Sequence, residues 1–169
     1  MASEPSGPCP QLPADLLDMM ARGVSVIVAT RDAAHQPHLM RAVGSQISDD
    51  GQRVTVYLSR RQSAELLADI AANGQIAVVF SEPSTHRSVQ LKSTHATART
   101  WQDSDAEVLA RYLHSMEHEV AQVGFGPPFT QAMLAHQPGD VVAVSFCPEQ
   151  AFDQTPGAQA GAPLGVAAA

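Results

Sequence analysis

Val54-Thr55-Val56-Tyr57-Leu58, Ser59-Arg60-Arg61-Gln62-Ser63 and Ala64-Glu65-Leu66-Leu67-Ala68-Asp69-Ile70 run on as one stretch, and the reading of the whole chain turns on it. In the first five residues Val54, Val56 and Leu58 alternate with Thr55 and Tyr57, mostly β-branched or aromatic types, which predicts a strand. The last seven predict a helix with Leu66, Leu67 and Ile70 on one face. Ser59 and Gln62 stand at capping-box spacing, so the expected helix start has Arg60 and Arg61 in its first turn. A cation there opposes the positive end of the helix dipole at a cost of about 0.3–1 kcal/mol, which an anion at the same place would reverse. Exposed backbone N–H groups, the hydroxyls of Ser59 and Ser63 and two guanidiniums would together cradle a phosphate. The plain alternative is two arginines pointing into water, where solvent and salt mute the penalty.

Working outward, 169 residues with 44% hydrophobic content describe one globular domain with a real core. The longest apolar run, Val24 to Ala29 with Ser25 inside it, is too short to span a membrane, and no basic start precedes an apolar segment, so secretion is not expected. Cys9 and Cys147 lie far apart in sequence with no Cys-x-x-Cys pair, which indicates neither a disulfide framework nor a zinc site. The expected compartment is a reducing cytoplasm. Net charge is −7 but uneven: residues 41–99 hold seven of the ten basic residues, whereas residues 100–169 hold Arg111 against eight acids. Such a chain is a poor partner for nucleic acid, yet it can bind a small anion in its basic middle.

Six strands are expected: Val24–Thr30, Pro37–Ser48, Val54–Leu58, Gln75–Phe80, Arg87–Thr100 and Asp140–Cys147. In the second, Leu39, Arg41, Val43, Ser45 and Ile47 share a face; in the fifth, Val89 and Leu91 point opposite to Gln90, Lys92 and Thr94. Helices are expected over Pro13–Ala21, from the start discussed above to Ala72 with Asn73-Gly74 as its stop, over Asp103–Gln122, and from about Phe129 to His136. Residues 1–12 form a Pro-rich leader, 13–154 the domain, and the Ala/Gly/Pro-rich residues 155–169 a flexible tail. This order predicts a mainly β fold with peripheral helices, an antiparallel six-stranded barrel closed to lower its edge cost.

The ordered set Ser25-Val26-Ile27-Val28-Ala29-Thr30, Gln36-Pro37-His38, Val54 to Ser63, Ala64 to Ala72, Asn73 to Phe80, and Arg87 with Gln90-Leu91-Lys92 resembles the pyridoxamine 5′-phosphate oxidase-like FMN-binding split barrels. The resemblance spans about residues 20–100 and is to the broad branch of that family. The Trp-Gly-Gly stretch and the pyridoxal phosphate ligands of the authentic vitamin-B6 oxidases have no match here. It implies a six-stranded split β-barrel, a homodimer with FMN at its interface, and a flavin-dependent oxidoreductase. Carried over position by position, Arg41, Ala42, Val43, Tyr57 and Leu58 would line the flavin. Ser59, Arg60, Arg61 and Ser63 would approach its phosphate, and Gln90 and Lys92 the ring edge. The basic pair that the oxidases place late in this turn falls here on Gln62-Ser63, one or two positions after the arginines. The expected partners are a small-molecule substrate, NAD(P)H as electron donor and a second copy of the chain, with neither nucleic acid nor membrane; no catalytic side chain and no metal are implied.

The alternative is a non-catalytic protein that stores or senses flavin or haem, for which His114 and His118, at i and i+4, are the best sequence support. No third ligand is apparent, and both read as surface histidines. His86 and His95 flank the fifth strand and read as boundary residues. Trp101, Phe125 and Phe129 are expected in the core. There is no Gly-x-Ser-x-Gly, and neither cysteine has a histidine near it in sequence.

Overall fold

The computed structural model describes residues 9–165; Met1 to Pro8 of the expected leader and Val166 to Ala169 of the expected tail lie outside the described residues. Among the described residues there are ten strands: β1 (Ser25–Arg31), β2 (Pro37–Arg41), β3 (Gly44–Ile47), β4 (Val54–Ser59), β5 (Ile76–Ser81), β6 (Ser88–Ser93), β7 (Thr97–Thr100), β8 (Val141–Phe146), β9 (Gln150–Asp153) and β10 (Pro163–Leu164). The helices are α1 (Ala14–Arg22), α2 (Ala64–Asn73), α3 (Asp105–Ala121) and α4 (Pro127–Met133). The strands form two antiparallel sheets, one of six in the order β10-β9-β6-β5-β1-β2 and one of four in the order β3-β4-β8-β7, and among the described residues these do not close into a barrel.

The difference from the expected six strands has two physical causes. Two of the expected strands each pass from one sheet to the other. At the first crossing Ala42 N donates to Val26 O in β1 at 3.0 Å while Val43 N donates to Tyr57 O in β4 at 2.8 Å, so consecutive residues bond to different sheets. At the second, Ser93 pairs with Ile76 and Thr97 with Ser145, and Ala96 N donates to Gly74 O at 2.9 Å in the corner between them. The second cause lies after β8, where Ala151 and Phe152 of β9 pair with Leu91 and Gln90 on one side and with Leu164 and Pro163, from the expected tail, on the other.

The core lies between the sheets. Val26, Val28, Val78, Phe80, Val89 and Leu91 of the six-stranded sheet pack against Val54, Val56, Leu58, Val142, Val144 and Phe146 of the other, and α1, α2 and α3 add Met19, Met20, Leu66, Ile70, Tyr112 and Met116. The four-stranded sheet is buried on its second face too, where Val43, Tyr57, Val141 and Ala143 pack on Leu109 of α3 with Trp101 and Val108 beside them. Phe125 and Phe129 are not core residues: they stack on each other with centroids 4.5 Å apart and are 49% and 48% exposed. Among the described residues no helix is long and apolar enough to cross a membrane.

Candidate functional site

The six-stranded sheet has one face in the core and one face open. Strand alternation sends Val26, Val28 and Thr30 of β1 inward and leaves Ser25, Ile27, Ala29 and Arg31 half-buried on the outer side; β5 does the same with Ala77 and Val79. The register lines these residues up across the sheet. Arg41 stands opposite Ile27, Ile27 opposite Val79, Val79 opposite Gln90, and Gln90 opposite Phe152. The next row outward from it runs Leu39, Ala29, Ala77, Lys92 and Gln150. Arg41, Gln90 and Lys92, far apart in sequence, therefore share one face, and from Arg41 to Gln90 that face spans about 14 Å at three strand spacings of about 4.8 Å. Its middle is apolar, and Leu39 at its edge is 61% exposed. A groove of about 380 Å³ lies on it, lined by Ala29, Arg31, Ala77, Lys92, Glu149 and Gln150 among others. Arg41 Nη1 donates to Ser25 Oγ at 2.7 Å, and the Lys92 ammonium sits 5.0 Å above the Phe152 ring.

Other expected site residues lie elsewhere. Ala42, Tyr57 and Leu58 are buried at 0%, 1% and 0% exposure, and Val43 is buried with them, because β4 is covered on both faces. Their side chains form core rather than a lining. The Tyr57 hydroxyl lies 3.2 Å from Asp105 Oδ1, to which it donates; Asp105 also receives both Arg99 Nη1 and Nη2, at 2.8 and 2.7 Å, and Gln102 N at 2.9 Å. Burial first, then the Asp105 charge, pushes the Tyr57 phenol up to about 12. Arg99 foremost holds the Asp105 carboxyl below its usual range.

The basic turn departs from expectation in two respects. Residues 60–63 form a turn before α2, which begins at Ala64, so Arg60 and Arg61 precede the helix instead of occupying its first turn. Half of the capping box survives as Gln62 N donating to Ser59 Oγ at 3.4 Å. The second departure is Asp140, which lies just beyond the β4–β8 ladder, whose last pair is Ser59 with Val141. Its Oδ2 accepts from Ser59 Oγ at 2.6 Å, its Oδ1 from Arg61 N at 3.2 Å, and its backbone carbonyl from Arg60 N at 2.6 Å. Arg61 Nε lies 3.4 Å from Oδ1 with the arginine side chain 77% exposed. The Ser59 hydrogen bond foremost holds the Asp140 carboxyl below its usual range. Ser63, at the N-cap of α2, is 2% exposed and its hydroxyl has no partner. Asp140 was invisible in sequence because it is 81 residues from Ser59; the one available signal was an acid at the head of the last apolar strand.

Helix α2, which follows the turn, meets the edge strand β2 on the inner side of the sheet, where His38 stands opposite the inward Thr30. Glu65, in the first turn of α2, lies 3.5 Å from His38 Nε2, and His38 Nδ1 lies 2.7 Å from Asp69 Oδ2, which also accepts from Thr30 Oγ1 at 2.7 Å. This His38–Asp69 pair escaped the sequence reading, since 31 residues separate its members. His114 and His118 are exposed on α3, and among the described residues no group of three or more His, Cys, Asp or Glu side chains is placed to hold a metal ion. A wider cleft of about 1270 Å³ opens between the N-terminal segment, the β3–β4 turn and β9–β10; its described lining holds Asp50 and Glu149 but neither lysine nor arginine, so it suits a phosphate poorly.

A phosphate-bearing flavin finds matching chemistry here. Arg60 is exposed, the exposed Arg61 guanidinium lies near Asp140, the Ser63 hydroxyl at the end of the turn is buried without a partner, and the open face offers apolar surface between Arg41, Gln90 and Lys92. One group opposes it, the Asp140 carboxylate.

No protein-family model and no curated protein matches the sequence. Solved structures do match in fold. A provisionally assigned pyridoxamine 5′-phosphate oxidase of Lactobacillus delbrueckii superposes with a TM-score of 0.54 at 16% identity, over 84% of this chain and 93% of that one. HupZ of Group A Streptococcus gives 0.54 at 19%, over 89% and 100%, and an F420 reductase 0.54 at 15%, over 83% and 98%. The chain thus has the pyridoxamine 5′-phosphate oxidase-like fold.

Proposed function

We propose that this protein is an FMN-dependent oxidoreductase of a small molecule, working as a homodimer with NAD(P)H as electron donor. The observation that carries the reading is the open, apolar outer face of the six-stranded sheet, bordered by Arg41, Gln90 and Lys92. Folds of this class with an oxidase and a reductase among their members support it. When bound, the flavin supplies the hydride and electron chemistry. The chain's own residues do the rest. Arg60, Arg61 and the Ser63 hydroxyl hold the phosphate, and Leu39, Ile27, Ala29 and Val79 give the ring a dry floor. Lys92 places a cation at the ring edge, where it favours an anionic reduced state. A second copy laid on the same face excludes water from it. Ala42, Val43, Tyr57 and Leu58 act from beneath, as the core that fixes the β2–β3 crossing. The proposed compartment is a reducing cytoplasm, in which Cys9 and Cys147 persist as the free thiols seen here.

The test is titration of FMN and of riboflavin, which lacks the phosphate, into wild type and R60A/R61A. Loss of two charge-assisted contacts predicts FMN weaker by about 2–5 kcal/mol with riboflavin unchanged. Equal losses for both ligands, or none, would place the phosphate elsewhere. A protein that binds neither flavin defeats the reading.

A further inference from the structure

We infer that Asp140 is the specificity-determining residue of the β4–α2 turn, a carboxylate that already holds the hydrogen-bond donors a phosphate would take. The inference rests on the turn being the phosphate site proposed above. Ser59 Oγ donates to Oδ2 at 2.6 Å and Arg61 N to Oδ1 at 3.2 Å, so the two best-placed donors of the turn end on one side chain. Arg60 N is turned toward the Asp140 backbone carbonyl, 2.6 Å away, and is lost to any ligand as well. The carboxylate is held firmly: its side chain is 13% exposed, and β8 fixes it one residue past the last rung of the β4–β8 ladder.

An incoming phosphate has two routes. It can displace the carboxylate and take over Ser59 and Arg61 N, or it can bind outside it on the two guanidiniums alone, with an anion behind it. Either route costs affinity through like charge sharing one set of donors. Arg61 already spends part of its charge on Asp140 at 3.4 Å. The turn therefore ranks ligands by charge. It disfavours a phosphate dianion and leaves a flavin without phosphate unaffected, which narrows the gap between FMN and riboflavin. Aspartate to asparagine removes the charge while keeping an oxygen for Ser59.

The experiment is calorimetric titration of wild type, D140N and D140S with FMN and with riboflavin. The serine variant is included in case the amide of the first disturbs folding. The expected result is an FMN dissociation constant at least tenfold lower in D140N, with riboflavin held within about twofold. Inorganic phosphate as the probe should shift the Arg61 amide resonance in D140N and leave it in place in wild type. FMN binding that is unchanged or weaker in both variants overturns the inference and makes Asp140 a positioning residue for Arg61. The R60A/R61A variant separates the two levels. If the arginines matter and Asp140 does not, the Asp140 inference falls alone; if the arginines do not matter either, the phosphate reading of the turn falls with it.

Discussion

His38 shows how much one side chain in this region depends on its neighbours. The Asp69 hydrogen bond foremost raises the imidazole above its ordinary 6.5, against desolvation. Burial pushes Asp69 up, but the His38 and Thr30 hydrogen bonds outweigh it and leave the carboxyl below its ordinary 3.8. A raised histidine stabilises the fold fully below its unfolded value and loses that contribution as pH rises through the folded one; a lowered aspartate contributes above its unfolded value and fails as pH falls through the folded one. The pair is thus strongest between about pH 4 and 6.5. Urea unfolding of wild type and H38Q should show a larger difference in stability at pH 5.5 than at pH 8.5, and a difference that stays constant would remove the charge coupling between them. Neither partner announced the other in sequence. Gln36-Pro37-His38 looked like part of a family pattern and Asp69 like one more helical acid, and only the β1–β2 register, with Thr30 opposite His38, brings them together.

At the scale of elements, Gly74 joins α2 to the corner where the chain changes sheets. It ends the helix in the left-handed region at φ 67, donates to Ile70 O at 2.9 Å, and accepts from Ala96 N at 2.9 Å. A Cβ there would lie 2.6 Å from the Thr94 carbonyl oxygen, a backbone atom with no freedom to yield. Gly74→Ala should cost at least the left-handed penalty of about 1–2 kcal/mol, with the clash added, read as a lower denaturant midpoint. A midpoint equal to wild type would show that the corner relaxes. This stop was legible, since Asn73-Gly74 is a strong helix-end signal. The sheet change was not. Alternation at Leu39, Arg41 and Val43 reports which side of a ribbon faces inward, and it continues unbroken while the partner strand changes from β1 to β4. The same limit explains Gln90 and Lys92: alternation sets them opposite to Val89 and Leu91 but carries no clue that Arg41 shares their face. Strands β9 and β10 were missed because four and two residues of mixed character carry almost no periodic signal.

The whole molecule has one sheet buried on both faces and one sheet buried on a single face, an imbalance that a second copy would remove. Contiguous apolar surface on a sheet marks a place of association, and here it contains the edge residue Leu39. Sedimentation equilibrium should give twice the 17.9 kDa of the chain. Leu39→Glu should give the single chain with an unchanged circular dichroism spectrum, because in one copy that side chain is 61% exposed and supports nothing. A wild-type mass of one chain with FMN bound would rule out the shared interface.

The position of β8 has a consequence for how the chain is made. In the four-stranded sheet it stands between β4 and β7, both of which precede it in sequence by many residues. Strands β1, β2, β5 and β6 can find one another as they leave the ribosome, but β4 and β7 wait with bare edges until Val141–Phe146 arrives. At about 5–20 residues per second that wait lasts seconds, long enough for unpaired strands to need shielding from their neighbours on a polysome. Asp140 travels at the head of the same segment. The second sheet and the counter-charge of the basic turn are therefore completed in a single late step, and no nascent intermediate presents the two arginines with their own carboxylate in place.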